Sequence, residues 1–366
     1  MVLQKHLYTR KLGGIETKLD HSFNQVFSSI ANIEQLYLPT DIPEDIQKFY
    51  EQLGMPFFNS ETKEPVTVLA DLQLEIWAIH RKYKKVLILK SQKIGISSLC
   101  ILITLWHALT DCVGMELIIN AQSDDQAKTH AQDLRRIILG SDKYRDYLIT
   151  SEFSSLGLLK DEVTKVHTVY LHNPRMPRLP TKIIVTGQSQ GALLSHKRVG
   201  FIWSSDMTIS SQTVETQKSV WGAMLSRLAN SQGPLIVECP ARSPEGPVYD
   251  TYERFEKTFE KVYNYFESWN KNKLVKKLDP KHDFYVQRFG YERGIEDGFF
   301  DQDFIDAERR RLGPIFGTFY EANFFASQTT WYRKEHVSNE TDNATQVFSM
   351  FSPIDDDTIP VDLSED

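Results

Sequence analysis

Hydrophobic positions in the central part of the chain alternate between short apolar runs and longer segments with helical spacing. Apolar runs of strand length occur at five places, namely 85–90, 115–120, 182–186, 199–203 and 234–238. Apolar residues recur every three or four positions in the segments 69–79, 97–109, 123–139, 213–228 and 249–270. Buried strands that alternate with helices predict an α/β fold with a mainly parallel sheet and helices on both faces.

The ends of the chain differ from this central pattern. Residues 1–65 are polar and interrupted by prolines, with a helical patch at 41–53, and predict a helical N-terminal appendage. The main α/β domain is expected over 66–270, followed by a linker or subdomain over 271–337. The acidic stretch 338–366 predicts a flexible tail.

The charge balance limits what the surface can bind. The 366 residues include 42 Lys and Arg against 49 Asp and Glu, which gives a formal net charge of -7. This excludes a globally basic DNA-coating protein, so any contact with nucleic acid has to be local. No segment resembles a signal peptide or reaches the roughly 20 apolar residues that span a bilayer. We therefore expect a soluble, intracellular protein without a membrane partner.

The segment between the first apolar run and the next helix has the placement of a phosphate-binding loop. It consists of Lys90, Ser91, Gln92, Lys93, Ile94, Gly95, Ile96, Ser97 and Ser98. Such a placement turns backbone amides and a helix N-terminus toward a phosphate chain. The loop keeps only part of the G-x-x-x-x-G-K-[ST] pattern, because Ile96 replaces the lysine and Lys90 stands at the first glycine. Taken alone, it could equally be an ordinary strand-to-helix turn.

Two later strands end in residues that could complete a nucleotide site. The run 199–203 leads to Ser205 and Asp206, where an NTPase with an additional strand needs a magnesium-binding acid. Asp206 could instead simply cap the next helix. The run 234–238 leads into Cys239 and a proline, a turn that could sense the nucleotide. The order of loop, acid-tipped strand and sensor strand favours the nucleotide site.

In this order the motifs resemble those of the large terminase subunits of tailed phages. The loop is similar to the lambda-like Walker A variant, which carries its lysine at the start. Residues 69–77 resemble the adenine-reading glutamine motif, centred on Gln73, and 194–206 resemble the approach to the acid-tipped strand. The resemblance extends to 297–324, which is similar to the segment that joins the motor to the nuclease.

The resemblance implies a P-loop NTPase of the additional-strand type that uses ATP and Mg²⁺ to translocate DNA. Lys90 and Lys93 would hold the β and γ phosphates within the nucleotide-binding loop 90–98, and Ser97 and Asp206 would bind magnesium. Lys90, Ser205 and Asp206 occupy the catalytic positions, and Glu238 with Cys239 occupies the coupling position. The implied partners are double-stranded DNA, a portal or procapsid and a small terminase subunit. A homo-oligomeric ring in the host cytoplasm is the implied assembly.

Three departures from the family pattern keep other functions open. Ile96 removes the usual lysine, and Ser205 stands where the magnesium-binding aspartate is expected. These changes favour, as an alternative, a degenerate nucleotide-binding or structural subunit of the same fold that does not hydrolyse ATP. A helicase-like ATPase outside the virion is a further alternative. The third departure is that too few residues follow Trp331 to form the family's nuclease domain, which we expect to be absent.

Overall fold

Seven strands form one sheet in the computed structural model, which describes residues 40–58, 64–149, 166–174, 179–208, 213–265 and 284–324. The strands are β1 (Lys85–Lys90), β2 (Glu116–Ala121), β3 (Thr168–Leu171), β4 (Thr181–Gly187), β5 (Val199–Ser205), β6 (Leu235–Cys239) and β7 (Tyr285–Phe289). Their spatial order is β3-β4-β2-β5-β6-β1-β7. Among the described strands all neighbours are parallel except β3, which runs antiparallel to β4.

Helices cover both faces of this sheet. They are α1 (Ile46–Gln52), α2 (Asp71–Lys82), α3 (Ile96–Leu109), α4 (Asp124–Gly140), α5 (Gln190–Leu194), α6 (Val214–Leu228), α7 (Pro247–Tyr265), α8 (Tyr291–Glu296), α9 (Gln302–Leu312) and α10 (Phe316–Phe319). Short 3-10 turns occupy Arg145–Tyr147 and Gly313–Ile315. The predicted fold class, a mainly parallel sheet flanked by helices, is confirmed.

The central strand β1 shows why the apolar runs become buried strands. Successive strand residues point to opposite faces of a sheet. Val86 and Ile88 accordingly belong to one core, together with α3. Leu87 and Leu89 belong to a second core on the other face, together with α6. A strand covered on both faces has no polar side, so its sequence reads as a continuous apolar run.

Side-chain caps set the starts of several helices. The Ser123 side chain accepts a hydrogen bond from the Gln126 amide (3.2 Å), so α4 begins one residue after the predicted start. Thr213 caps α6 in the same way. Asp45 caps α1, which is why the helix expected from residue 41 begins only at Ile46.

The described residues before position 65 contribute to the main core. Phe49 and Tyr50 of α1 are fully buried, and the indole of Trp106 in α3 donates to the carbonyl of Pro43 (2.7 Å). The boundaries proposed for the appendage, main domain and linker stay predictions. The acidic tail 338–366 and the end of the helix expected to reach residue 270 lie outside the described residues.

Two strands were not predicted from the sequence. β3 is a four-residue antiparallel strand, and β7 has the mixed sequence Tyr-Val-Gln-Arg-Phe with partly exposed positions. β3 is buried but only four residues long, and β7 has exposed positions because it lies at an edge of the sheet, so neither has the long apolar run of the central strands. In the described ranges, no helix combines the length and the apolar character needed to cross a membrane.

Candidate functional site

Polar residues at the carboxyl ends of three neighbouring strands lie close together. Lys90 ends β1, Ser205 ends β5 and is followed by Asp206, and Glu238 lies one residue before the end of β6. Strand β6 lies between β1 and β5, and Glu238 is the direct partner of Ser205 in the register. In open α/β sheets ligands bind at this edge, beyond the carboxyl ends of the strands.

The ammonium group of Lys90 lies at the centre of this cluster. It donates to the Ser97 hydroxyl (3.0 Å), forms an ion pair with Glu238 and lies 3.5 Å from an Asp206 carboxylate oxygen. Burial alone would lower the pKa of Lys90, but the nearby Glu238 and Asp206 carboxylates outweigh burial and raise this pKa above its ordinary value. Lys90 is therefore a permanently charged group in a buried site.

Glu238 is a buried carboxylate within reach of the loop. Its Oε1 accepts hydrogen bonds from the hydroxyls of Ser97 (3.1 Å) and Ser205 (2.8 Å). Its Oε2 contacts the Lys90 ammonium as an ion pair, without normal hydrogen-bond geometry. Burial raises the pKa of Glu238 to about 6, although the nearby Lys90 acts to lower it. The coupling residue predicted from the sequence thus lies inside the site itself.

Asp206 is positioned by its backbone and by a glutamine. Its backbone amide donates to the Glu238 carbonyl (2.7 Å), and its φ of +53° turns the chain away from β5. Its Oδ2 accepts a hydrogen bond from the Gln126 side chain (2.9 Å). A non-glycine residue with positive φ is uncommon, and such strain is concentrated at functional sites.

The loop after β1 leaves a row of backbone donors free. The amides of Ser91 and Gln92 donate to the carbonyls of Phe289 and Phe319 (both 2.8 Å) and anchor the start of the loop. From Lys93 to Ser98, the backbone amides have no acceptor among the described residues. Such consecutive amides at the N-terminus of a buried helix can bind a phosphate group.

Gly95 allows the loop to pass close to its neighbours. Its φ is +71°, and a Cβ atom there would lie 2.8 Å from the Phe299 ring and 3.0 Å from the Gln73 side chain. The Gln73 side chain accepts from the Ala70 amide (3.0 Å) and donates to the Gly95 carbonyl (2.9 Å). Gln73 therefore holds the loop against α2, and its adenine-reading role stays a prediction.

The side chains of four other predicted site residues lie outside the cluster around Lys90. The Lys93 ammonium lies 5.4 Å from the ring centre of Phe304, on the outer side of the loop. Cys239 is buried in the core on the α6 side of the sheet, because consecutive strand residues face opposite sides. Ile94 and Ile96 are buried, and both pack into the core on the α3 side. The nucleotide-binding role of Lys93 and the coupling role of Cys239 stay predictions.

Sequence reasoning missed two glutamines that organise the acid-tipped strand. Gln126 accepts from the Gln122 amide (2.7 Å) while it donates to Asp206, and Gln188 donates to the Ser205 carbonyl (3.0 Å). Gln126 stands three residues after the helix cap, a position whose side chain often turns back toward the helix start. That signal was present in the sequence, but it does not identify the partner.

Two histidines meet at the opposite edge of the sheet. The Nε2 atoms of His80 and His107 are 2.7 Å apart, and both rings line a cavity of about 390 Å³. Burial is the main cause that lowers the pKa of each ring. The cavity does not include any of the predicted site residues, so it lies apart from the cluster around Lys90.

His130 of α4 gives the site region a dependence on pH. Its ring lies 4.9 Å from the Trp203 ring in β5, and burial lowers its pKa to about 4. The unfolded chain therefore binds a proton here at about pH 6.5, whereas the folded protein binds it only near pH 4. The stability that His130 contributes in its neutral form is present above pH 6.5 and is lost as the pH falls toward 4.

We expect His130→Gln to reduce the acid sensitivity of folding. The difference in unfolding free energy between the wild type and this variant should change by about 2 kcal/mol between pH 7 and pH 5. Denaturant titrations of both proteins at the two pH values measure this quantity, and other titrating groups cancel in the comparison. If the unfolding free energies of the two proteins change equally between pH 7 and pH 5, His130 does not cause the acid sensitivity.

Comparison with known proteins identifies the fold. The sequence matches no protein family model and no curated protein. Among solved structures, one match is the Thermus phage P74-26 large terminase ATPase domain, with a TM-score of 0.50 and 15% identity. The match covers 76% of this chain and 98% of the phage domain. The HK97 bacteriophage large terminase gives a TM-score of 0.52 and 12% identity over 76% of this chain. This chain has the fold of a phage large terminase ATPase domain.

The match extends over unequal parts of the two phage proteins. A point mutant of the P74-26 domain gives a TM-score of 0.50 at 16% identity and is covered over 98% of its length. This chain covers only 54% of the HK97 protein, about half its length. The predicted likeness to terminases is therefore confirmed at the level of the fold. The lambda-like loop variant stays a prediction.

The magnesium ion expected from the sequence needs oxygen ligands, and the side chains of the cluster fit such a cation. Among the described residues, no group of three or more His, Cys, Asp and Glu side chains could hold a metal. Magnesium, however, is usually bound by one or two carboxylates together with substrate phosphates. The hydroxyl of Ser97 and the carboxylates of Asp206 and Glu238 supply the oxygen atoms for this kind of site.

Proposed function

We propose that this chain is the ATP-hydrolysing motor of a phage genome-packaging machine that translocates double-stranded DNA. One observation carries the proposal: the free amides of residues 93–98 lie beside a buried lysine and two carboxylates, at the ligand-binding edge of a terminase-like fold. The amides and the Lys90 ammonium match the negative charge of a triphosphate. The carboxylates match the needs of a metal ion and of an attacking water.

Each residue of the cluster has a role in this proposal. The amides of 93–98 bind the phosphate oxygens, and the Lys90 ammonium neutralises the negative charge that they bring. Asp206 orients the attacking water and accepts its proton, with its carboxylate held in place by Gln126. Bound magnesium would neutralise charge on the β and γ phosphates.

The partners follow from the proposed motor. A homo-oligomeric ring would act at a portal or procapsid in the host cytoplasm, together with a small terminase subunit. Since the net charge of the chain is -7, DNA would be held by a local basic surface. Binding through phosphate contacts weakens steeply as salt is added.

The position of Ser205 favours one competing function. A serine at the expected place of a metal-binding acid suggests a subunit that binds nucleotide without hydrolysing it. Both functions require nucleotide binding, and they differ in turnover.

Hydrolysis of ATP by the purified chain tests the proposal. We expect turnover that requires Mg²⁺ and is stimulated by linear duplex DNA, measured as phosphate release alongside the binding of a fluorescent ATP analogue. Binding without turnover would support the non-hydrolysing subunit. Stimulation by single-stranded DNA alone would support a helicase-like ATPase. Absence of nucleotide binding would overturn the proposed function.

A further inference from the structure

Ser205 and Glu238 lie side by side on adjacent strands. They are direct partners in the register of β5 and β6, and the Ser205 hydroxyl donates to Glu238 Oε1 (2.8 Å). A serine side chain is neutral, so it places no negative charge at the end of β5. The neighbouring glutamate supplies a carboxylate at the same level of the sheet. The negative charge missing from β5 is therefore present on β6.

Glu238 also contacts the loop residue expected to bind magnesium. The Ser97 hydroxyl and Glu238 Oε1 are 3.1 Å apart. Adjacent ligands of an octahedral magnesium ion, each bonded at about 2.1 Å, are separated by about 3.0 Å. The two oxygens thus already have the spacing of two neighbouring ligands of one ion.

A cation already occupies the space among these oxygens. The Lys90 ammonium contacts Ser97 and Glu238 and lies 3.5 Å from Asp206. A buried carboxylate is stabilised by a compensating positive charge, which the Lys90 ammonium supplies here. The position suits a metal ion once the ammonium has moved to the phosphates.

Asp206 is placed differently. Its Oδ2 is held by Gln126 (2.9 Å), and no hydrogen bond joins its carboxylate to Ser97 among the described residues. The positive φ of Asp206 turns it away from the line of β5. Its carboxylate is therefore suited to the attacking water, and Glu238 is the carboxylate in contact with the metal-binding hydroxyl.

We infer that Glu238 is the magnesium-binding carboxylate of this chain and replaces the acid that Ser205 lacks. The inference rests on the proposed nucleotide-binding function and deepens it. It changes the expectation from the sequence, in which Asp206 binds the metal and Glu238 relays the nucleotide state. A serine at the end of β5 is then compatible with a working site.

The test measures how magnesium changes nucleotide affinity, independently of hydrolysis. The probe is N-methylanthraniloyl-ATP, titrated by fluorescence with excess Mg²⁺ and, separately, with EDTA. In the wild type we expect Mg²⁺ to tighten binding by about tenfold, the usual size of the coupling between two ligands. In Glu238→Gln this tightening should be lost, while binding in EDTA remains because the amides of 93–98 are unchanged.

Two further variants make the test specific. Ser205→Asp combined with Glu238→Gln moves the carboxylate to its partner position on β5 and should restore the effect of magnesium. Glu238→Asp keeps the charge beside Lys90 but withdraws it by one methylene, so the effect of magnesium should weaken without loss of folding. Asp125→Asn removes an exposed carboxylate in the first turn of α4 and is the matched control, which should retain the full effect. Asp206→Asn tests the competing ligand, Asp206 itself.

The outcomes separate this inference from the proposed function. If Glu238→Gln keeps the full effect of magnesium and Asp206→Asn loses it, Asp206 is the ligand and the inference is wrong. If the wild type binds the probe equally well with and without magnesium, the inference is also wrong, although a nucleotide site remains. If the wild type does not bind the probe at all, the proposed function itself fails.

Discussion

Replacing Lys90 with methionine should reduce ATP turnover by about 10²–10³-fold, the range seen when one preorganised electrostatic contact is removed. Methionine keeps an unbranched apolar stem in a site where the lysine is only 8% exposed, so the packing changes little. The lost group is the ammonium that contacts Glu238 and Ser97. Phosphate release under saturating ATP and magnesium measures the effect.

Lys93→Met provides the matched control for this prediction. Lys93 lies in the same loop, but its ammonium packs over the Phe304 ring. We expect turnover of this variant to stay within a few-fold of the wild type, since a single exposed cation–π contact contributes only about 0.5–1 kcal/mol. If Lys93→Met stops turnover while Lys90→Met does not, the two lysines have the opposite roles.

Asp206→Asn should lower turnover by about 10²–10⁴-fold, as expected for loss of a positioned general base. The two side chains have nearly the same size, and the Gln126 contact can be kept through the amide oxygen of asparagine. Nucleotide affinity should therefore change little, so that the variant lowers the rate of hydrolysis without weakening nucleotide binding. Single-turnover phosphate release and fluorescent ATP binding, measured on the same preparation, give the two quantities.

Asp125→Asn is the control for this substitution. Asp125 lies in the first turn of α4, exposed, and pairs with Lys128 at the surface (3.3 Å). Removal of that charge should leave turnover unchanged. If Asp206→Asn turns over as fast as this control, another group activates the water.

The central elements could be predicted because local sequence and tertiary position agree. The run that became β1 is buried on both faces, and 12 of the 14 residues of α3 are buried, so both stand out as apolar segments. The sequence of β7 (Tyr285–Phe289) is mixed because that strand lies at the sheet edge. Its pattern does not distinguish a strand from a loop.

The residues that lie together around Lys90 were singled out one by one from the sequence, but their arrangement was not predicted, and their roles stay predictions. Lys90, Ser97 and Asp206 were singled out because each stands near the end of an element, where the sequence pattern changes. The role of Glu238 depends on β6 lying between β1 and β5, and the order of strands is a property of the whole fold. The contacts of Gln126 and Gln188 likewise join segments about 80 and 17 residues apart.

The ammonium of Lys90 among carboxylates has a consequence for how ligands enter. In the resting chain one positive side chain faces two negative ones, so one negative charge is left uncompensated before any ligand arrives. When a metal–nucleotide complex binds, Glu238 and Ser97 would hold the metal ion, and Lys90 would turn its ammonium toward the phosphates. The metal ion adds positive charge and the nucleotide adds negative charge, so each should bind more tightly in the presence of the other.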